Sequence, residues 1–390
     1  MQTRSYKSIK LVKVKDLNLL CNYNNGVVIY VDDENLKAVE EWINNSFRFL
    51  PENVESYLEE NNFFVDLEGK IGQAYLHVTD RCNMDCVGCY SRTSLRNKRT
   101  DMTLEQIKTI MDQIKEHGVT RIVISGGEPM LRKDIGEILG YGKQLGFEMA
   151  MISNGSFLIP DEVMNELDDI SFSVDLFEKD RNILNRIMQK ENVVANIATA
   201  KKAGTYVTGI VTLNAFNANK IDSYFKLGEE LGIQITFSIF HSAEPNSKPF
   251  LLNDEHLRSL AEKCMEKMPQ LIEGFSAFDD IFCRENCGAG KTNMSVDASG
   301  NLAPCHMLHN ISFGSLLENS HEAWEKMEIF WNNLKTPSEC ANCDYHLFCG
   351  AGCKARALLT GDGTGKDPYC EMYKCYYTKQ YDYIKKVVNE

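Results

Sequence analysis

Apolar and basic positions alternate at the start of the chain: residues 9–15 (IKLVKVK) read as an edge strand does. The next stretch, LNLLCNYNNGVVIYV over 17–31, predicts two strands joined at Asn24-Asn25-Gly26, a hairpin turn sequence. The period then becomes helical, over about 33–44 and 51–61, with Pro51 at a first-turn position of the second helix. Three strands followed by helices define a small N-terminal unit, residues 1–73. From residue 74 strand-like runs recur at 74–79, 121–125, 147–153, 170–175, 206–213 and 233–240, with helical stretches between them. The clearest helix is 103–117, where Thr103 caps, Gln106 completes a capping box and Gly118 ends the run. Repeated βα units imply a parallel sheet over 74–245 whose site lies at the C-terminal ends of the strands. A linker, 246–282, with a helix over about 253–268, leads to a cysteine-rich third, 283–390.

The chemistry-bearing residues fall on those strand ends. Directly after the first strand comes YLHVTDRCNMDCVGCY (75–90), in which Cys82, Cys86 and Cys89 form a CxxxCxxC loop. Three thiolates at this spacing can hold three irons of a [4Fe–4S] cube and leave the fourth iron without a protein ligand. A structural zinc ion wants four ligands, and this run supplies three. After the second strand stands Gly126-Gly127-Glu128-Pro129, whose glycines allow a close backbone approach to a ligand and whose Glu128 can accept from an ammonium group. Ser153-Asn154-Gly155 ends the third strand and Ser173-Val174-Asp175 the fourth, residues equally suited to capping the following helices. His241 follows the sixth strand, as a cavity acid or base or as a structural histidine.

Composition narrows the class. With 390 residues, 43% of them apolar, the chain can bury a large core in two or three domains. It has no apolar stretch of signal-peptide type and none near the ~18 residues that span a bilayer, so the expected location is cytoplasmic, away from membrane. Of 14 cysteines, none lies between 90 and 263 and ten lie between 264 and 375, which suits reduced metal ligands better than disulfides. A net charge of −13 argues against a nucleic-acid partner. The exception is residues 1–15, where Arg4, Lys7, Lys10, Lys13 and Lys15 meet no acid. That end carries +5, either to attract an acidic segment or to guard a strand edge against aggregation.

The CxxxCxxC loop, with GGEP some 40 residues later, resembles the cluster and binding loops of the radical S-adenosylmethionine (radical SAM) enzymes. The resemblance implies α/β architecture with a partial (β/α)6 barrel, and a fourth iron chelated by the methionine moiety of S-adenosylmethionine. It also implies contacts to that cofactor from Gly126, Gly127, Glu128, Pro129, Ser153, Asn154, Ser173 and Asp175. One position departs: the residue before the last loop cysteine is usually aromatic, and here it is Gly88, with Tyr90 either taking over that packing or serving as core. The third region resembles a SPASM extension: Cys287, twelve residues, Gly300, four residues, Cys305, then Cys340, Cys343, Cys349, Cys353 and Cys370. By that resemblance Cys287, Cys305 and Cys353 hold a first auxiliary [4Fe–4S] cluster, completed by Cys283 or left open for substrate. Cys340, Cys343, Cys349 and Cys370 hold a second, with Cys375 a possible substitute for Cys370, for three clusters in all. A zinc-ribbon remains the alternative for the CxxC at 340 and 343. Cys21 and Cys264 read as buried small hydrophobes. Residues 1–73 resemble the winged-helix-like leader-recognition unit of peptide-modifying members. The expected function is thus peptide maturation: S-adenosylmethionine cleavage by an electron from a flavodoxin- or ferredoxin-type donor, hydrogen abstraction from a precursor peptide with a leader, and a thioether crosslink. The alternatives are carbon–carbon crosslinking, anaerobic sulfatase maturation, which uses an Asp where this chain has His306, and a non-enzymatic iron–sulfur carrier. His306 is the base candidate.

Overall fold

The computed structural model describes residues 6, 8–65, 71–91, 93–94, 96–174, 190–242, 244–267, 282–308, 310–360 and 365–389. Its first sheet is an antiparallel meander of β1 (Ile9–Val14), β2 (Leu17–Asn22) and β3 (Val28–Val31), with Gly26 at φ 82 in the turn before β3. Central strand β2 is buried nearly throughout because both of its faces are covered. Leu20, with Ile9 and Val31, packs on α1 (Asp33–Asn44) and α2 (Glu52–Glu60), through Val39, Trp42, Val54 and Leu58. Leu17, Leu19 and Cys21 face the other way and join the main core. The basic first strand finds its acids and rings within the chain: Lys10 lies 3.5 Å from Glu285, and Lys15 sits over the rings of Tyr345 and Tyr381.

The second sheet carries the barrel strands β4 (Gln73–Thr79), β5 (Arg121–Gly126), β6 (Glu148–Ser153), β7 (Asp169–Ser173), β8 (Tyr206–Leu213) and β9 (Gln234–Ile239), all parallel and in sequence order. Between them run α3 (Leu104–Glu116), α4 (Ile135–Gln144), α5 (Asp161–Met164), α6 (Lys190–Ala203) and α7 (Ile221–Leu231); α8 (Asp254–Lys267) follows β9. The capping box of α3 forms, with the Thr103 side chain accepting from the Gln106 N–H and the Gln106 side chain from the Thr103 N–H. Outward positions such as Leu76, Ile122, Ile124, Met149, Ile170, Phe172, Val211 and Phe237 build the core under the helices.

The cysteine-rich third does not stand apart from the barrel. Strand β10 (Asn293–Val296) pairs in parallel with β4, Ser295 opposite Tyr75, and β11 (Asn301–Ala303) and β12 (Gly314–Ser315) continue the sheet to nine strands. The β10–β11 turn explains Gly300: Asp297 accepts from the Ser299 and Asn301 N–H groups, and the turn needs φ 82 at Gly300. Helices α9 (Ser320–Asn332), α10 (His346–Cys349), α11 (Lys354–Thr360) and α12 (Cys370–Asn389) complete the chain, α12 lying along α8. Among the described residues no helix is long and apolar enough to cross a membrane.

Candidate active site at the C-terminal ends of the barrel strands

The inner face of the barrel sheet alternates with its apolar outer face, and it is hydroxyl-rich. Tyr75, Ser125, Ser171, Ser173, Thr208, Thr212, Thr236 and Ser238 point inward, most of them only half-buried. At the opposite, N-terminal ends of the strands the same face is closed by Arg121 paired to Glu148 and Asp169. Above that ion-paired floor no described residue on the inner face of β4–β9 carries a charge.

The cysteine loop crosses the open end and is tied down on several sides. Asn97 pairs with Cys82 as a strand neighbour would, its Oδ1 accepting from the Cys82 N–H at 2.9 Å and its Nδ2 donating to the Cys82 carbonyl at 3.2 Å. Asn83 bridges to the β6 end, accepting from Asn154 Nδ2 at 2.9 Å and donating to Ser156 Oγ at 2.8 Å. Arg96 reaches the thiols, with Nη2 donating to Cys89 Sγ at 3.3 Å and to Ser91 Oγ at 2.9 Å. Burial pushes the Cys89 thiol up, but the Arg96 charge and the Ser91 and Arg96 hydrogen bonds outweigh it and leave the group below the usual thiol range. At Cys82 burial dominates and the shift is upward. Neither Arg96 nor Asn97 signals this role in the sequence, beyond lying in the polar loop between the cysteines and α3.

The glycines of GGEP meet a constraint within the protein itself. A Cβ on Gly126 would collide with the Thr79 carbonyl and one on Gly127 with the Arg81 carbonyl. Their absence lets the Gly127 and Glu128 N–H groups donate to Thr79 and Arg81 at 2.7 and 2.8 Å, which fastens this loop to the start of the cysteine loop. Pro129 opens the short turn that follows. Glu128 is fully buried and already serves protein donors: Oε1 accepts from Ser153 Oγ at 2.9 Å and the Met130 N–H at 3.1 Å, and Oε2 from the Asn154 N–H at 2.8 Å. Burial raises its pKa against those bonds. Ser153 and Asn154 are therefore organised by Glu128 rather than by helix capping. Ser173 lies half-buried on the inner face, and Asp175 falls outside the described residues.

Gly88, at φ 64, is filled by Phe240 from the β9 end: a Cβ on Gly88 would strike that ring. Tyr90 instead turns to β4 and β5, its hydroxyl 2.7 Å from Ser125 Oγ and its ring 6.1 Å from His77. Its other neighbour is His306, at 5.3 Å between ring centroids, which in turn stacks on Tyr75 at 4.0 Å. Among the described residues His241 is buried with neither ring nitrogen hydrogen-bonded, and burial, then Arg356, lowers its pKa to about 4.

The remaining thiols separate into groups. Cys340, Cys343, Cys349 and Cys370 line one cavity of about 400 Å³. Cys375 turns away, its Sγ 4.0 Å from the Arg258 carbonyl on α8. Cys287, Cys305 and Cys353 pack around Ala289, Leu308 and Ala355. Asp367 supports Cys353, accepting from its N–H at 2.6 Å while ion-paired to Arg356. Cys283 is directed elsewhere: only 3% exposed, it lies against Cys21 of β2, with its Sγ 3.8 Å from the Val27 carbonyl. The side chain of Cys264 falls outside the described residues.

A parallel barrel with three loop thiols at its mouth, braced by a GGEP turn and abutted by two further thiol groups, defines a radical SAM architecture with an iron–sulfur extension. Residues 76–228 match the radical SAM superfamily model, and residues 287–344 match the SPASM model, an iron–sulfur cluster-binding domain. The chain belongs to the radical SAM/SPASM enzymes. It is 26% identical over 336 residues to an AdoMet-dependent heme synthase of Methanosarcina barkeri, covering 75% of this chain and 94% of the relative. It is 25% identical over 325 residues to a PqqA peptide cyclase of Xanthomonas axonopodis pv. citri, covering 76% and 86%. The fold is shared with Streptococcus suis SuiB bound to precursor peptide SuiA, at TM-score 0.63 and 17% identity over 95% of this chain and 100% of that one. Native anSMEcpe with bound AdoMet gives TM-score 0.66 and 16% identity over 81% and 99%.

Proposed function

We propose that this enzyme is a peptide maturase that forms an intramolecular thioether, cysteine sulfur to carbon, in a precursor peptide. The observation that carries the reading is the hydroxyl-lined inner face beneath the cysteine loop, whose described residues carry no charge above the Arg121 pairs and which offers a peptide backbone hydrogen bonds at many points. Cys82, Cys86 and Cys89 fit a [4Fe–4S] cluster, since three thiols share one loop and one guanidinium, and Ser153, Asn154 and Ser173 lie on the rim for S-adenosylmethionine. When bound, that pair supplies, on one-electron reduction by a flavodoxin- or ferredoxin-type donor, a radical able to take hydrogen from carbon. The chain's own work is to hold the peptide in the lumen, exclude water and accept the thiol proton, a role we assign to His306. The SPASM thiols hold the auxiliary clusters, Cys287, Cys305 and Cys353 one and Cys340, Cys343, Cys349 and Cys370 the other, and with Cys283 turned to Cys21 the first keeps a position for the substrate thiolate.

The N-terminal unit, residues 1–73, is the proposed leader site. Its β3 pairs with β2 on one side, and β3, α1 and α2 enclose a cavity of about 360 Å³ lined by Ile29, Tyr30, Val39, Val54 and Tyr57, suited to strand addition by a peptide. SuiB, solved with a precursor peptide, shares its fold over 95% of this chain. The test is mass spectrometry of a co-expressed precursor peptide. The expected product is lighter by about 2 Da per crosslink, as removal of two hydrogens requires, with the cysteine resistant to alkylation. The same loss with every cysteine still alkylatable favours a carbon–carbon link, and an aldehyde on a sulfatase peptide overturns the assignment.

A further inference from the structure

A ring contact joins two of the ligand loops. Tyr90 directly follows Cys89, and His306 directly follows Cys305. The two rings meet edge to face, centroids 5.3 Å apart and planes at 84°. Each is fixed from behind, Tyr90 through its hydroxyl to Ser125 at 2.7 Å, and His306 by stacking on Tyr75 at 4.0 Å. The path from one thiol to the other therefore runs through covalent bonds except at this one contact, between groups that cannot swing apart without losing a second partner. Neither residue is a ligand, and Tyr90 is not needed to fill the space beside Gly88, which Phe240 occupies.

We propose that the Tyr90–His306 contact is the electron route between the cluster on Cys82, Cys86 and Cys89 and the auxiliary cluster on Cys287, Cys305 and Cys353, an inference that rests on the cluster assignments above. The electron count closes without an added oxidant. Thioether formation removes two hydrogens: one leaves as an atom to the radical, the other as the thiol proton to the base, and the remaining electron passes to the auxiliary cluster. The route carries that electron from a reduced [4Fe–4S]+ auxiliary cube to the oxidised [4Fe–4S]2+ cube of the loop; no bond is made and no proton moves. The loop cluster is thereby readied for the next turnover.

The experiment uses the full chain, reconstituted anaerobically, as wild type and as Tyr90→Leu, His306→Leu and His306→Phe. Iron content and electron paramagnetic resonance first count the clusters in each. A flash of photoreductant then delivers less than one electron per chain, and freeze-quenched spectra follow its redistribution between the two signals. Redistribution slower by on the order of tenfold in either Leu variant, with the ring-preserving His306→Phe near wild type, is the expected result. Because His306→Phe removes the base but keeps the ring, the same pattern separates the route from proton transfer. Wild-type rates in both Leu variants, or a His306→Phe as slow as His306→Leu, overturn the route. A wild type lacking the auxiliary signal overturns the cluster assignment itself, and with it this inference.

Discussion

The thiols of the 82–89 loop and those around the cavity at 340–370 are held in opposite ways. The first group is framed by protein: Asn97 pairs with the Cys82 backbone, Asn83 with Asn154 and Ser156, the GGEP turn with residues 79 and 81, and Arg96 supplies charge. The second group rests on a single 3-10 turn (Ser338–Cys340), the one-turn helix α10 and the first residue of α12, with Gly350 at φ 59 ending α10. Burial raises Cys340 and Cys370, pushes Cys349 up to about 11, and the neighbouring thiols add to the shift. Since the thiolate is the metal ligand, Cys89 of the first loop is prepared before metal arrives, although burial raises its neighbour Cys82, whereas the second group depends on the metal's own charge to ionise and hold it. On the assignment proposed above, the first site serves reactivity at an open iron and the second makes iron part of the fold.

The sharpest test removes each set in turn. Changing Cys82, Cys86 and Cys89 together to Ala abolishes S-adenosylmethionine cleavage, read as 5′-deoxyadenosine, while the chain keeps its melting temperature within a few degrees. Changing Cys340, Cys343, Cys349 and Cys370 to Ala removes metal-coupled folding free energy, on the order of several kcal/mol, and exposes the 338–370 segment to protease. Equal melting temperatures for the two variants would erase the contrast, and residual cleavage by the first would remove the loop from the chemistry.

How much of this was legible depended on periodicity. The six barrel strands fall within a residue or two of their expected places, since outward Ile, Val and Phe alternate with inward Ser and Thr, and the capping box of α3 reads directly. Strands β10, β11 and β12 run four, three and two residues, too short for a period, and their joining to β4 is a contact across more than 200 residues that no local pattern carries. Residue identity announced Gly126, Gly127 and Glu128 but not their reason: the collision they avoid is with residues 79 and 81, and the donors Glu128 serves are its own neighbours on β6. Likewise cysteine spacing placed Cys283 beside Cys287 in sequence, while the fold turns its thiol to Cys21. Tertiary neighbours, not motifs, decide those roles.

The electrostatic half of the contrast turns on Arg96. Replacing it with Leu withdraws a charge-assisted hydrogen bond from Cys89, a loss of about 2 kcal/mol, or roughly tenfold or more in retention of the loop cluster. Arg96→Lys keeps the charge without the fork to Ser91 and should fall between. Visible absorbance during a chelator challenge reads this directly, with the absorbance of the auxiliary clusters unchanged. Equal loss from all sites would show Arg96 to be a general stabiliser and would blur the comparison.

The last effect concerns how the loop is clamped to the barrel. Gly88 needs its φ of 64, which costs a non-glycine residue about 1–2 kcal/mol, and any Cβ there meets Phe240. Gly88→Ala should therefore lower the melting temperature by a few degrees, as a loss of about 2–3 kcal/mol requires in a chain of this size. Phe240→Ala alone leaves a cavity and also destabilises. Combined, the two should cost less than their sum, because removing the ring relieves the collision while the backbone strain persists. Strict additivity in this double-mutant cycle would mean that the loop and the β9 end adjust independently, and that the first thiol group is less firmly prepared than its hydrogen bonds indicate.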